Sequence, residues 1–208
     1  SGNVIVTEAS SLALGAITVG GTFSGTATTG DITDSGTLTI TGASTFNVTV
    51  NGSNIILDSS GNAFASQVTL QAAAGSATFG NITFVDSAAV DLDSSASADG
   101  DLFIDGSTDG AVGGNLSVTA TTGNITQNVA LAVTGTSSFT TSASDATITL
   151  GTTTNAFTGA VTLSTTGSSA NATIDGGTTA LDFATSTIGG NLTVTSGDSI
   201  TDSGVITV

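Results

Sequence analysis

A chain of 208 residues carries 16 acids and no Lys, Arg or His, for a formal charge of −16, and it also lacks Cys, Met, Trp, Tyr and Pro. Without a base to neutralise phosphate, the composition argues against nucleic-acid binding and against attraction to anionic membrane surfaces. Without thiol or imidazole it rules out disulfides, Cys or His metal centres and Ser/His/Asp or Cys/His catalysis.

Taken in chain order, the chain alternates apolar and polar residues with period two. Leu38-Thr-Ile40, Phe46-Asn-Val48-Thr-Val50, Val68-Thr-Leu70, Ile82-Thr-Phe84, Leu131-Ala-Val133, Ile148-Thr-Leu150, Val161-Thr-Leu163 and Leu192-Thr-Val194 all read as short strands with the apolar side chains inward. Thr suits the outward face, being β-branched and hydrogen-bonding. Gly, Asn, Asp and Ser separate the runs, as turns require. Helical spacing is sustained nowhere, and no stretch reaches the roughly 18 apolar residues of a membrane helix.

The chain also repeats itself. Val-Gly-Gly opens a segment at Val19 and at Val112, and Ile-Gly-Gly opens one at Ile188; residues 19–70 and 112–163 are identical at 24 of 52 positions. The first two openings stand farther apart than the last two. Across both spacings together, Leu12, Leu14 and Val19 match Leu181, Phe183 and Ile188. Long-period self-similarity of short strands predicts a solenoid in which each coil buries its apolar face against the next. The expected fold is all-β: a right-handed parallel β-helix of about nine coils of roughly 23–25 residues, a single repeat segment over 1–208 with units at about 19–111, 112–187 and 188–208. The later unit divides into coils at Leu116/Val118–Ile125–Leu131/Val133, Phe139–Ile148/Leu150–Phe157 and Val161/Leu163–Ile174–Leu181/Phe183. The longer earlier unit adds a coil at Val90/Leu92–Leu102/Ile104–Val112. The chain begins and stops within a repeat and reads as part of a longer protein.

GlyGlyAsnLeuSerValThrAlaThrThrGlyAsnIleThrGln at 113–127, LeuAlaValThrGlyThrSerSerPhe at 131–139 and the GlyGlyAsnLeuThrVal…IleThrVal run at 189–208 resemble repeats of the filamentous-haemagglutinin-like bacterial surface adhesins and related β-strand-repeat proteins. That resemblance implies a right-handed parallel β-helix, export to the bacterial cell surface or beyond, and a role as stalk or adhesive shaft. The acidic 83–111 segment and the absence of bases depart from it.

Candidate residues fall into four groups. Seven of the acids lie within Asp86–Asp109, and Asp91, Asp93, Asp99 and Asp101 are the set that could offer several oxygens to calcium, against a plain reading as a solvated acidic face. The nine Phe residues are expected to stack inside the coils; Phe46 and Phe139, and Phe64 and Phe157, recur at matched positions, with Leu131, Val161 and Leu163 in the same core. Asn47, Asn51, Asn81, Asn115, Asn124, Asn171 and Asn191 each begin an Asn-x-Ser/Thr triplet, as chance allows in a chain rich in Ser and Thr; at turns they can stack from coil to coil and satisfy buried amides. The Gly-Gly pairs at 20–21, 113–114 and 189–190 have no following Lys and are read as tight corners at positive φ.

The expected function is therefore non-enzymatic: a structural rod or filament-forming segment of a large secreted or cell-surface protein. Its partners would be neighbouring copies or the same chain continued end to end, with cell-surface glycans as a further partner. The competing reading is an adhesive or calcium-dependent binding module. Glycan cleavage by paired carboxylates is disfavoured, because no base stands ready to hold an anionic sugar.

Overall fold

The computed structural model describes residues 2–73, 77–93, 102–106 and 108–208. Among these there is no α-helix, and the named strands pair in parallel throughout. The chain winds through β1 (Val4–Glu8), β2 (Leu12–Leu14), β3 (Ile17–Val19), β4 (Phe23–Ala27), β5 (Ile32–Asp34), β6 (Leu38–Ile40), β7 (Ser44–Val48), β8 (Ile55–Leu57), β9 (Ala63–Phe64) and β10 (Val68–Ala72). It continues through β11 (Ile82–Asp86), β12 (Val90–Asp93), β13 (Leu102–Asp105), β14 (Ala111–Val112), β15 (Leu116–Ala120), β16 (Ile125–Gln127), β17 (Ala132–Val133), β18 (Ser137–Ser144), β19 (Ile148–Leu150), β20 (Ala156–Phe157), β21 (Val161–Thr166), β22 (Ala172–Asp175) and β23 (Leu181–Phe183). It closes with β24 (Ser186–Thr187), β25 (Leu192–Thr195), β26 (Ile200–Asp202) and β27 (Ile206–Thr207).

Two long sheets carry the solenoid. A front sheet of ten strands runs β1-β4-β7-β10-β13-β12-β16-β19-β22-β25, and a back sheet runs β2-β5-β8-β11-β15-β18-β21-β23-β26. The nine strands along the main path of the back sheet, with β24 and β27 beside it, give nine layers, as the sequence leads one to expect. Coil length varies more than expected. Val4 pairs with Phe23, Phe23 with Ser44 and Ser44 with Val68 in steps that lengthen gradually, whereas the step from Val68 to Leu102 is much longer than any of these.

Two three-stranded ridges join the sheets at their margins. In the early coils the chain passes from front to back through a short turn, as between β4 and β5, and returns through a ridge strand. β3, β6 and β9 form this first ridge. In the later coils the arrangement is reversed: a short turn leads from back to front, as between β15 and β16, while β14, β17 and β20 form a second ridge on the way from front to back. Parallel pairing keeps the sense of travel constant, so the two ridges lie on opposite flanks. The switch occurs within one coil. Phe79, after β10, already bridges Val112 and begins the second ridge, while β9, before β10, ends the first. After β22 the pattern turns back, since β24 lies between back strand β23 and front strand β25, on the first flank, and β27 pairs with it.

This rotation changes which sheet a given sequence occupies. β4 in the front sheet and β15 in the back sheet are copies of one another, one repeat apart; β5 in the back and β16 in the front are likewise copies. Two repeats on, the sequence returns to the same place: β2 and β23 both lie in the back sheet, β4 and β25 both in the front. The coil expected at Val90, Leu102 and Val112 is corrected by the structure. β12 and β13 lie side by side in the front sheet, with Leu92 opposite Leu102, and β13, though later in sequence, sits nearer β10. Both strands alternate alike, so nothing in their pattern separates one face from one layer.

Inward positions alternate with outward ones along each strand, as in Phe23, Gly25 and Ala27 of β4 or Val68, Leu70 and Ala72 of β10. They merge into one apolar cluster from Leu12 to Ile188. Four rings form a column through the first unit and into β11: Phe23–Phe46 at 5.3 Å, Phe46–Phe64 at 6.1 Å in an edge-to-face contact, and Phe64–Phe84 stacked at 5.4 Å. Phe139 and Phe157 repeat the edge-to-face contact at 6.2 Å.

Candidate functional site

The polar groups of the chain are spent chiefly on holding one coil to the next. From β2 to β18, the residue preceding each back-sheet strand stacks on its counterpart below. Asp31 N–H donates to Ser11 Oγ, Asn54 N–H to Asp31 Oδ1 at 2.7 Å, Asn81 N–H to Asn54 Oδ1 at 2.6 Å, Asn115 N–H to Asn81 Oδ1 at 2.9 Å and Thr136 N–H to Asn115 Oδ1 at 2.8 Å. The ladder passes through the ridge switch without a break, so it follows the face and not the repeat. Shorter pieces mark the same corner of the front sheet, where Thr22, Thr147 and Asn191 N–H donate to Asn3, Asn124 and Asn171 Oδ1. The expected coil-to-coil stacking of Asn is thus observed, but the amides it satisfies are largely exposed and not buried as expected.

The Gly-Gly corners have a different cause from the one expected. Among the described glycines, positive φ occurs at Gly52, Gly110, Gly167 and Gly177, none of them in the Gly-Gly pairs at 20–21, 113–114 and 189–190. Gly114 is required by proximity: a Cβ there would overlap the carbonyl of Gly80 beneath it.

Inside the first ridge lies a buried polar pair that the sequence reading did not single out. Asn62, fully buried, accepts the Leu38 N–H through Oδ1 at 2.9 Å and donates from Nδ2 to Asp34 Oδ2 at 2.8 Å. Asp34 Oδ1 in turn accepts the Asp58 N–H at 2.9 Å. The second ridge repeats the device at the matched position of the next repeat. Asn155 Oδ1 accepts the Leu131 N–H at 2.8 Å, and its Nδ2 donates to Gln127 Oε1 at 3.1 Å. The recurrence of Asn-Ala-Phe at 62–64 and 155–157 was the available signal.

The ridge switch contains the most unusual group in the described chain. Where the first ridge stops, no further strand pairs with β9 among the described residues, and Asp86 takes that place. Its side chain is fully buried; Oδ1 accepts the Phe64 N–H at 3.3 Å and the Ala88 N–H at 3.4 Å, and Oδ2 has no partner. Ser87 N–H donates to the Asn62 carbonyl at 2.7 Å and satisfies the same edge. Burial raises the Asp86 carboxyl above its ordinary pKa, with hydrogen bonds from Phe64, Ala88 and Ser87 opposing. Beside it, Thr39, Ile40, Thr41, Ala63, Phe64, Ala65, Ser87 and Ala88 line a mainly apolar recess of about 240 Å³.

Of the four acids proposed for calcium, Asp99 and Asp101 lie outside the described residues. Asp91 and Asp93 sit on β12; Asp91 accepts from Thr126 Oγ1 at 2.9 Å, and Asp93 is buried. Among the described residues, no three acids are grouped to hold a metal ion. Phe46, Phe64, Phe139, Phe157, Leu131, Val161 and Leu163 are all buried in the core. One ring departs from the expected interior stack: Phe103 is half-buried on the outer side of β13, opposite Thr69 and Asp93.

A family model described as repeats of unknown function (DUF5649) matches residues 1–71, 72–164 and 169–208. The chain belongs to this family. The first DUF5649 match contains the whole first ridge, the second the whole second ridge and the third the return to the first flank, so each family repeat carries one ridge. No curated protein and no solved structure matches the DUF5649 chain.

Proposed function

We propose that the chain is a structural segment: a stiff solenoid rod within a large secreted or bacterial cell-surface protein, serving as stalk or scaffold. The observation that carries this reading is the continuity of the core from Leu12 to Ile188, with coil bonded to coil by backbone and side-chain ladders. Such an array grows along one axis without a new core for each added unit. Nine layers at about 4.8 Å each give a rod of about 40 Å. Neighbouring coils, from the same chain or another copy, are its natural partners, since the end strands of a parallel stack seek pairing.

Electron microscopy of native cells labelled with antibody against this chain tests the proposal. Label on shafts projecting from the surface is expected; label confined to the cell interior would overturn it. The competing reading, an adhesive module that uses calcium, is favoured by Asp91 and Asp93 standing together on β12. It predicts a melting temperature that falls when EDTA is added, whereas the rod reading predicts no change.

A further inference from the structure

The end of the first ridge is closed by a single acid that has no cationic partner and whose Oδ2 is unpartnered. β8, β9 and β15, the strands around it, bring no titratable side chain to Asp86. Asp34 is engaged with Asn62, Asp58 is exposed, and Asp91 and Asp93 lie on β12 farther along the same coil. The chain has no Lys, Arg or His anywhere. An ionised carboxylate in this position would be buried with no cation to balance it, a state that structure relaxes by exposing the group.

We propose that the turn at 87–89 is a latch, closed over the end of the first ridge while Asp86 is protonated and lifted once it is ionised, so that the edge of β9 opens onto the recess. Two contacts define the closed state: Phe64 N–H on Asp86 Oδ1 and Ser87 N–H on the Asn62 carbonyl. Both are lost when the turn lifts. The second unit provides an internal reference. Thr158 N–H, bonded to the Val133 carbonyl at 2.9 Å, belongs to the second ridge and has no acid at its side.

Residue-resolved amide hydrogen exchange on the whole chain, at several pH values from about 4 to about 8, tests this across the carboxylate range. Protection of Phe64 and Ser87, each corrected for intrinsic exchange and divided by that of Thr158, is expected to fall at least about tenfold as pH rises, the equivalent of about 1.4 kcal/mol of local opening. In Asp86→Asn, which cannot ionise but keeps the Oδ1 acceptor, the ratio should stay flat. A flat ratio in the unaltered chain, or the same fall in Asp86→Asn, would overturn the latch. Asp86→Ala should show low protection at every pH; if it does not fold, the Asp86→Asn comparison decides alone.

Discussion

Asn81 Oδ1 accepts the backbone N–H of Asn115 at 2.9 Å, although 34 residues of chain separate them. That rung spans the longest coil and the ridge switch, and its neighbours above and below are spaced just as closely. The corner of the back sheet is therefore held to one geometry while the rest of the coil is rearranged.

Removing a rung should weaken the stack modestly. Asn115→Ala leaves the Thr136 N–H to water, and because the position is exposed the loss is about 1 kcal/mol, near the net value of one hydrogen bond. Thermal or denaturant melts will measure it. The double variant with Asn81→Ala should lose about the sum of the two single losses, since Asn81 Oδ1 bonds the Asn115 backbone N–H, which Asn115→Ala leaves in place, while the Asn115 side chain serves Thr136.

Close stacking should make glycine substitutions selective. Gly114→Ala drives a methyl into the Gly80 carbonyl and is expected to destabilise by about 1–3 kcal/mol, whereas nothing lies within 4 Å of a Cβ at Gly151, so Gly151→Ala should change stability by less than about 0.5 kcal/mol. Paired melts of the two variants check this, and equal effects would contradict the packing argument.

The buried amides offer a sharper contrast. Asn62→Ala strands the Leu38 N–H and removes the Asp34 partner together, in a fully buried place. A loss of about 2–3 kcal/mol is expected, with a similar loss for Asn155→Ala in the matched site. Both should exceed the cost of Asn115→Ala in the same melt series.

Stability should also depend on pH through Asp86. Its carboxyl pKa is raised in the fold, so the neutral form is the one the fold prefers. The stability tied to that neutral form is fully present below the ordinary value of 3.8 and is lost as pH rises through the raised value. Asp86→Asn should therefore gain on the unaltered chain as pH is taken from acid toward neutral, and melting temperatures of the two across that range will show whether the gap widens.

Much of this architecture was legible from the residues. Alternation in runs such as Val161-Thr-Leu163 fixes inward and outward faces, and the matched phenylalanines at 46 and 139 identify core positions, because burial in a half-exposed strand leaves a period of two. The exchange of front and back between β4 and β15 was not legible, since both sheets accept the same alternation and no residue type distinguishes them. The side-by-side placement of β12 and β13 was hidden for the same reason. Asp86 looked like one acid among seven in a polar stretch. Only the pairing of its strand with β8 and β15 shows that it faces the end of a ridge, away from water.

The half-rotation between repeats has a bearing on how such proteins lengthen. A loop or adhesive tip grafted at one ridge position would, in the adjoining repeat, point to the opposite side of the shaft, and would reappear on its own side only in the repeat after that. Gene duplication of a single repeat would swing everything beyond the insertion through half a circle, whereas duplication in twos would leave every appended feature aimed as before.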